Sequence, residues 1–200
     1  MIKNVCHNVW SPYVFAKVKE LLMGSEIPWY LCVTDYYNEN KDQNSHKWQH
    51  IAYHKGVGSS FVGPYLEMAV WDALSKSGQD VDELIRIRCS VTEIVNQHYV
   101  GGAHVDTDTP HMTALFYIND SDGDTILYNE KFDPDLGLNQ YDYYKQIVKE
   151  PTVKHTVTPE ANKMFWFDGL YYHSSNSPTS VSKRFIINVN YTLKKKQNEC

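Results

Sequence analysis

The sequence lacks any long apolar run: no stretch of its 200 residues approaches the roughly 20 consecutive apolar residues of a membrane-spanning helix. Its first residues also lack the apolar core of a secretory signal. Cysteine is scarce. The four present, Cys6, Cys32, Cys89 and Cys200, stand far apart without a CxxC pair, which excludes a zinc knuckle and a disulfide framework. Reduced thiols in a cytoplasm are therefore expected, and two sequon matches, at Asn119 and Asn190, read as accidental. An excess of positive charge is missing too: the net charge is −5, where a dedicated nucleic-acid binder would usually show a basic face. The run Lys194-Lys195-Lys196 reads as a solvated tail. Repeats and low-complexity segments are absent. What remains is 42% hydrophobic residues, 14% of the chain being aromatic, in a length that suits one domain with a sizeable core.

Local signals divide that domain unequally. Residues 1–83 read as helical support with at least one strand. Ser11-Pro12 supplies an N-cap and a proline at the first helical position, Val14, Val18, Leu21 and Leu22 an apolar stripe, and Gly24 a stop. Residues 27–37 read as a strand, 38–47 as a polar loop and 63–77 as a second helix ended by Gly78. From Leu84 the pattern changes to short strands separated by turns: 84–97, 99–105, 112–119, 124–129, 153–158, 163–168, 171–175 and 183–193. Strands at such regular spacing predict a sandwich or barrel over 84–193. Residues 130–150 break the rhythm with Pro134, Gly137 and the cluster Tyr141, Tyr143 and Tyr144, and a long insert of this kind is expected to act as a lid at the barrel mouth.

Within the strand-rich part, His104-Val-Asp106 is answered by His173 on a late strand. Two imidazoles and a carboxylate can occupy one face of an octahedral metal ion and leave the other open, as in non-haem Fe(II) oxygenases. The HxD pattern alone is weak, since roughly 0.6 matches arise by accident in a chain with this many His and Asp. Its context is stronger. In extended backbone His104 and Asp106 project from the same face, and Gly101-Gly102 before them permits close backbone approach. The remaining histidines, such as His7, His46, His50, His54 and His155, read as ordinary surface or core residues. Periodicity adds Arg184. In residues 184–191 one strand face carries Arg184, Ile186, Asn188 and Asn190, while Phe185, Ile187, Val189 and Tyr191 form a wholly apolar face. That split suits a barrel whose outer surface packs on helices and whose interior holds a polar site. Thr113, Leu115, Tyr117 and Asn119 share a face in the same way.

From Ile85 to Tyr191 the chain resembles the 2-oxoglutarate- and Fe(II)-dependent dioxygenases, in particular their prolyl-4-hydroxylase-like branch. The resemblance rests on HVD at 104–106, TALFYIN at 113–119, Gly123-Asp-Thr-Ile-Leu127, Asn162-Lys-Met-Phe-Trp-Phe167, His173 and Arg184-Phe-Ile-Ile-Asn188. The general look is also similar to small oxygenases of bacteriophages and marine bacteria, for which the compartment would be the host cytoplasm. The resemblance implies a mainly β fold, a double-stranded β-helix (jelly roll, cupin-like), with His104, Asp106 and His173 on Fe(II). It implies 2-oxoglutarate and O2 as co-substrates and hydroxylation as the reaction. Arg184 matches the basic residue that holds the far carboxylate of 2-oxoglutarate, Tyr117 a tyrosine that assists, and Asn188 a position where a small hydroxyl residue often helps. Tyr99 matches a tyrosine upstream of HxD with a shorter spacing than in many relatives. The favoured substrate is peptidyl proline or another amino-acid residue.

Two features narrow the chemistry within that resemblance. Related halogenases replace the metal carboxylate with a small residue, whereas Asp106 is retained here. Related nucleic-acid demethylases carry a second arginine six residues after the first, and that position is Asn190. Hydroxylation of a peptide or small molecule is therefore expected, ahead of nucleic-acid or other metabolite oxidation. A jelly-roll module that binds metal without turnover is the remaining alternative, and uncoupled 2-oxoglutarate decarboxylation separates it from an enzyme.

Overall fold

The alternation read in residues 184–191 becomes the axis of the fold. In a computed structural model, which describes residues 4–32, 47–94 and 100–195, these residues belong to a long strand, Lys183–Leu193 (β11). It pairs antiparallel with Val81–Glu93 (β5) on one side and Met112–Tyr117 (β6) on the other. The large sheet continues from β6 to Lys163–Asp168 (β9) and then to Val5–His7 (β1). From β5 it continues to Lys47–His54 (β3), which carries Tyr30–Cys32 (β2) and the short Gly58–Ser59 (β4). A second antiparallel sheet runs Tyr171–Ser175 (β10), Thr125–Lys131 (β7) and Val153–Val157 (β8). Residues from both sheets meet in one buried cluster of Leu115, Tyr117, Leu127, Val157, Phe165, Phe167 and Ile186. This is the interior of a jelly roll.

The apolar face of β11 looks away from that interior. Phe185, Ile187, Val189 and Tyr191 join the core beneath two helices, Pro12–Met23 (α1) and Gly63–Lys76 (α2). Ser11 Oγ accepts the Val14 N–H at 3.4 Å, as its N-cap position requires. At the end of α2, Gly78 adopts a left-handed φ of 78°, where a Cβ would be strained. Trp10 is fully buried here, stacks on Phe116 at 4.9 Å and donates its indole N–H to Ala69 O at 2.7 Å. Burying a ring of this size gives about 1.5–3 kcal/mol from its apolar part alone.

The structure departs from three of the expected elements. The expected strand over 27–37 is observed as β2 only, with 33–37 and most of the expected polar loop outside the described residues. The expected strand over 99–105 forms no regular ladder within its described part and is tied to its neighbour by two backbone bridges. The insert differs most. After a 3-10 turn at Pro134–Leu136, a single α-helical turn, Gln140–Tyr143, runs into a π turn, Tyr144–Val148. Tyr143 is buried with Tyr128, Phe132, Leu170, Tyr172, Ala103 and Val105, and Leu138, Tyr144 and Val148 pack against that cluster. The expectation of a lid is therefore corrected: these side chains cover the outer face of the small sheet. Apolar area on that face needs burial, and the insert provides it.

Candidate metal centre

Backbone geometry places the HxD segment. His104 and His173 exchange two N–H···O bonds of 3.0 and 2.9 Å, and Gly101 N–H reaches Ser175 O at 2.9 Å. A Cβ on Gly101 would stand 3.2 Å from that same carbonyl, so glycine favours the close approach. Alternation then sends Ala103 and Val105 to the outer cluster. His104, Asp106 and His173 converge on the other side, each offering one donor atom, and these atoms lie within 4.8 Å of one another. The two imidazole centroids are 4.6 Å apart.

The tautomers follow from hydrogen bonding. His104 Nδ1 lies 2.9 Å from Gly102 O and His173 Nδ1 lies 3.3 Å from Tyr171 O. A carbonyl only accepts, so each Nδ1 carries the proton and each Nε2 keeps a lone pair for a metal. Burial, and next the neighbouring His173, lower the His104 imidazolium to about 3. Burial lowers His173 as well. Both rings are thus neutral at neutral pH, the form that binds a cation.

Asp106 is the most heavily contacted of the three. Its side chain is 1% exposed. Oδ1 accepts from Arg86 Nη2 at 3.0 Å and Arg88 Nη2 at 3.2 Å. Oδ2 accepts from Asn190 Nδ2 at 3.0 Å, Asn188 Nδ2 at 3.1 Å and Thr113 Oγ1 at 3.4 Å, and lies 3.7 Å from His173 Nε2. Burial opposes ionisation, but the guanidiniums of Arg88 and Arg86 outweigh it and hold the carboxyl well below its ordinary value. Two neutral nitrogens and one ionised oxygen on a single buried surface fit a first-row divalent cation.

Arg184 lies deeper and is only 2% exposed. Its Nη2 donates to Thr125 Oγ1 at 2.8 Å, and the Tyr117 hydroxyl donates to the same oxygen at 2.9 Å. The guanidinium carbon stands 5.7 Å from the Tyr117 ring centre. Burial pushes the Tyr117 phenol up to about 12, so it stays a neutral donor. Burial also disfavours the charge on Arg184, whose Nε has no hydrogen-bond partner and which forms no ion pair among the described residues. Asn188 sits four residues further along β11, roughly 13 Å at strand rise, where it contacts Asp106. Tyr99 lies outside the described residues.

Sequence reasoning missed Arg86, Arg88 and Thr125. The signal for the arginines was present. They stand two apart on β5 opposite an apolar face of Ile87, Cys89 and Val91, the same division that singled out Arg184. Thr125 carried no such mark, because one threonine on a short strand is indistinguishable from a β-former.

No family model matches the chain, and no curated protein sequence matches it. Solved structures do. A prolyl-4-hydroxylase from Pseudomonas putida superposes with a TM-score of 0.55 at 11% identity, over 95% of this chain and 91% of that one. HygX from Streptomyces hygroscopicus, solved with nickel and 2-oxoglutarate bound, gives 0.58 at 12% identity over 95% and 82%. SnoN, an alpha-ketoglutarate-dependent non-haem epimerase from nogalamycin biosynthesis, gives 0.65 at 13% over 94% and 77%. The chain therefore has the jelly-roll fold of the 2-oxoglutarate- and Fe(II)-dependent oxygenases. Among the described residues no helix is long and apolar enough to cross a membrane.

Proposed function

We propose that the protein is an Fe(II)- and 2-oxoglutarate-dependent dioxygenase that hydroxylates an amino-acid unit, peptidyl proline being one such substrate. The observation that carries this reading is Arg184, a buried cation that makes no salt bridge within 4.0 Å among the described residues and feels only the more distant carboxylate of Asp124, sharing the barrel interior with a complete His-Asp-His donor set. An unpaired buried charge is costly unless a ligand completes it. A dicarboxylate extending from the metal to Arg184 would do so.

In this reading His104 Nε2, His173 Nε2 and Asp106 hold Fe(II), and Arg184, Tyr117 and Thr125 receive the far carboxylate of 2-oxoglutarate. The bound iron, with O2, supplies the oxidation that converts 2-oxoglutarate to succinate and CO2 and a substrate C–H to C–OH. The protein's own part is binding, orientation and exclusion of water. The Gly102 and Tyr171 carbonyls fix the histidine tautomers. Asn188 and Asn190 hold the Asp106 carboxylate in a defined plane. The apolar wall of Leu115 and Ile186 lies along the strands between the two polar ends. Arg184 would bind a carboxylate by charge-assisted hydrogen bonds.

Succinate formation from 2-oxoglutarate, measured with and without Fe(II), tests the proposal. The expected result is slow Fe(II)-dependent turnover without added substrate, and a +16 Da product when candidate peptides are present. Absence of Fe(II)-dependent turnover in protein that binds both ligands would instead support a non-catalytic metal-binding module.

A further inference from the structure

We infer that Arg86 and Arg88 form a second anion site beside the metal centre, one that receives an oxyanion, carboxylate or phosphate, borne by the primary substrate. This rests on the proposed metal and 2-oxoglutarate site and names the substrate's chemical class.

Both arginines project from one face of β5 and converge on a single atom, Asp106 Oδ1. Each reaches it through one nitrogen only, so neither guanidinium uses the two-pronged geometry that suits an oxyanion. Arg86 sends its Nε to Asn190 Oδ1 at 3.0 Å, whereas Arg88 Nε is buried and has no partner among the described residues. Charge points the same way. Three guanidinium groups, Arg86, Arg88 and Arg184, face this interior against two carboxylates, Asp106 of the triad and Asp124 near Arg184, which leaves one positive charge in excess. A divalent cation and a doubly charged 2-oxo acid cancel one another, so the excess of positive charge passes to whatever binds third.

Access separates the pair from Arg184. The Arg86 and Arg88 side chains are 20% and 19% exposed, while Arg184 is closed at 2%. Arg184 is therefore suited to a co-substrate enclosed in the barrel, and the Arg86/Arg88 pair to a group arriving from solvent. Once a metal draws on the Asp106 carboxylate, the hold of that carboxylate on two guanidiniums weakens, and their free N–H groups become available beside the reacting centre.

The test uses protein in excess over Mn(II), saturated with 2-oxoglutarate, and reads paramagnetic line broadening of three probes: N-acetylglycine, its neutral amide N-acetylglycinamide, and inorganic phosphate by 31P. The expected result is broadening by one or both anions at concentrations at least tenfold below those needed for the amide. Carboxylate against phosphate broadening then identifies the group preferred. Arg86→Gln and Arg88→Gln should each weaken anion binding about tenfold, a larger change than either makes to the Mn(II) and 2-oxoglutarate affinities measured alongside. Equal behaviour of anions and amide overturns the inference. So does broadening that survives both substitutions, since the probe would then be on the metal alone. Loss of Mn(II) affinity in step with probe affinity also overturns it, because the arginines would then act only as positioning residues for Asp106. Failure of the wild-type protein to bind Mn(II) or 2-oxoglutarate removes the underlying metal reading as well, and is distinguished by that measurement alone.

Discussion

At the scale of single residues, the site separates two jobs that sequence alone runs together. His104 and His173 present lone pairs because backbone carbonyls occupy their Nδ1 protons. Replacing His104 with Ala removes one of three donors, and stoichiometric Fe(II) binding should fall by orders of magnitude in equilibrium dialysis. Arg184 has a different task. Arg184→Met should raise the 2-oxoglutarate concentration needed for half-maximal succinate formation more than a hundredfold, corresponding to about 3–5 kcal/mol for a broken buried pair, with iron affinity nearly unchanged. An unaltered 2-oxoglutarate requirement would remove Arg184 from that role. The histidines also make a pH prediction. Their folded-state values lie below that of a free imidazole, near 6.5, and His104 reaches about 3. The unfolded chain therefore binds more protons between those limits, and the metal-free protein should lose stability as pH falls from about 6.5. The slope is at most about 1.4 kcal/mol per pH unit for each such group. Thermal melts from pH 7 to 4 should show the loss, and His104→Asn should flatten it.

At the scale of elements, strands with one polar and one apolar face were the legible ones. Residues 183–193 read as a strand with Arg184 inward, and β11 matches in both bounds and facing because alternation is set by the pleat itself. The 163–168 strand was legible as a short apolar run, Met164–Phe167, and the 171–175 strand from the Asp168-Gly169 turn that precedes it. Strand β3 was not seen, because Lys47–His54 mixes polar, aromatic and apolar residues on both faces. The insert misled. Three tyrosines near an expected barrel mouth suggest contact with a ligand, whereas the structure directs Tyr143 onto Phe132 at 5.2 Å and Tyr172 at 6.4 Å, behind the HxD segment. Gln140 reinforces this, its side chain accepting the Val105 N–H at 3.2 Å and its carbonyl the Tyr172 hydroxyl at 2.9 Å. Phe132→Ala should consequently cost about 3–5 kcal/mol in denaturant unfolding, while the folded fraction keeps its coupling of decarboxylation to substrate oxidation. A lid residue would give the reverse: normal stability and uncoupled turnover.

At the scale of the whole molecule, two sheets and two helices divide the labour. Helices α1 and α2 bury the back of the large sheet, the insert buries the back of the small one, and the space between the sheets is shared by an apolar cluster and the polar groups of the site. His104 and Asp106 were legible from their two-residue spacing, Arg184 from the alternation of its strand, and His173 from its place on a late strand. Arg86, Arg88 and Thr125 were obscure because their meaning arises from neighbours brought together by β11 and β6, up to 104 residues away in the case of Arg86 and Asn190. The central claim is that these groups make one site in which metal and 2-oxo acid are bound together. Anaerobic equilibrium dialysis of 2-oxoglutarate, with and without Fe(II), tests it most directly. The account predicts one Fe(II) and one 2-oxoglutarate per chain, the acid binding far more tightly when iron is present, and this gain abolished by His104→Ala. Equal 2-oxoglutarate binding with and without iron, or a gain that survives His104→Ala, would contradict it.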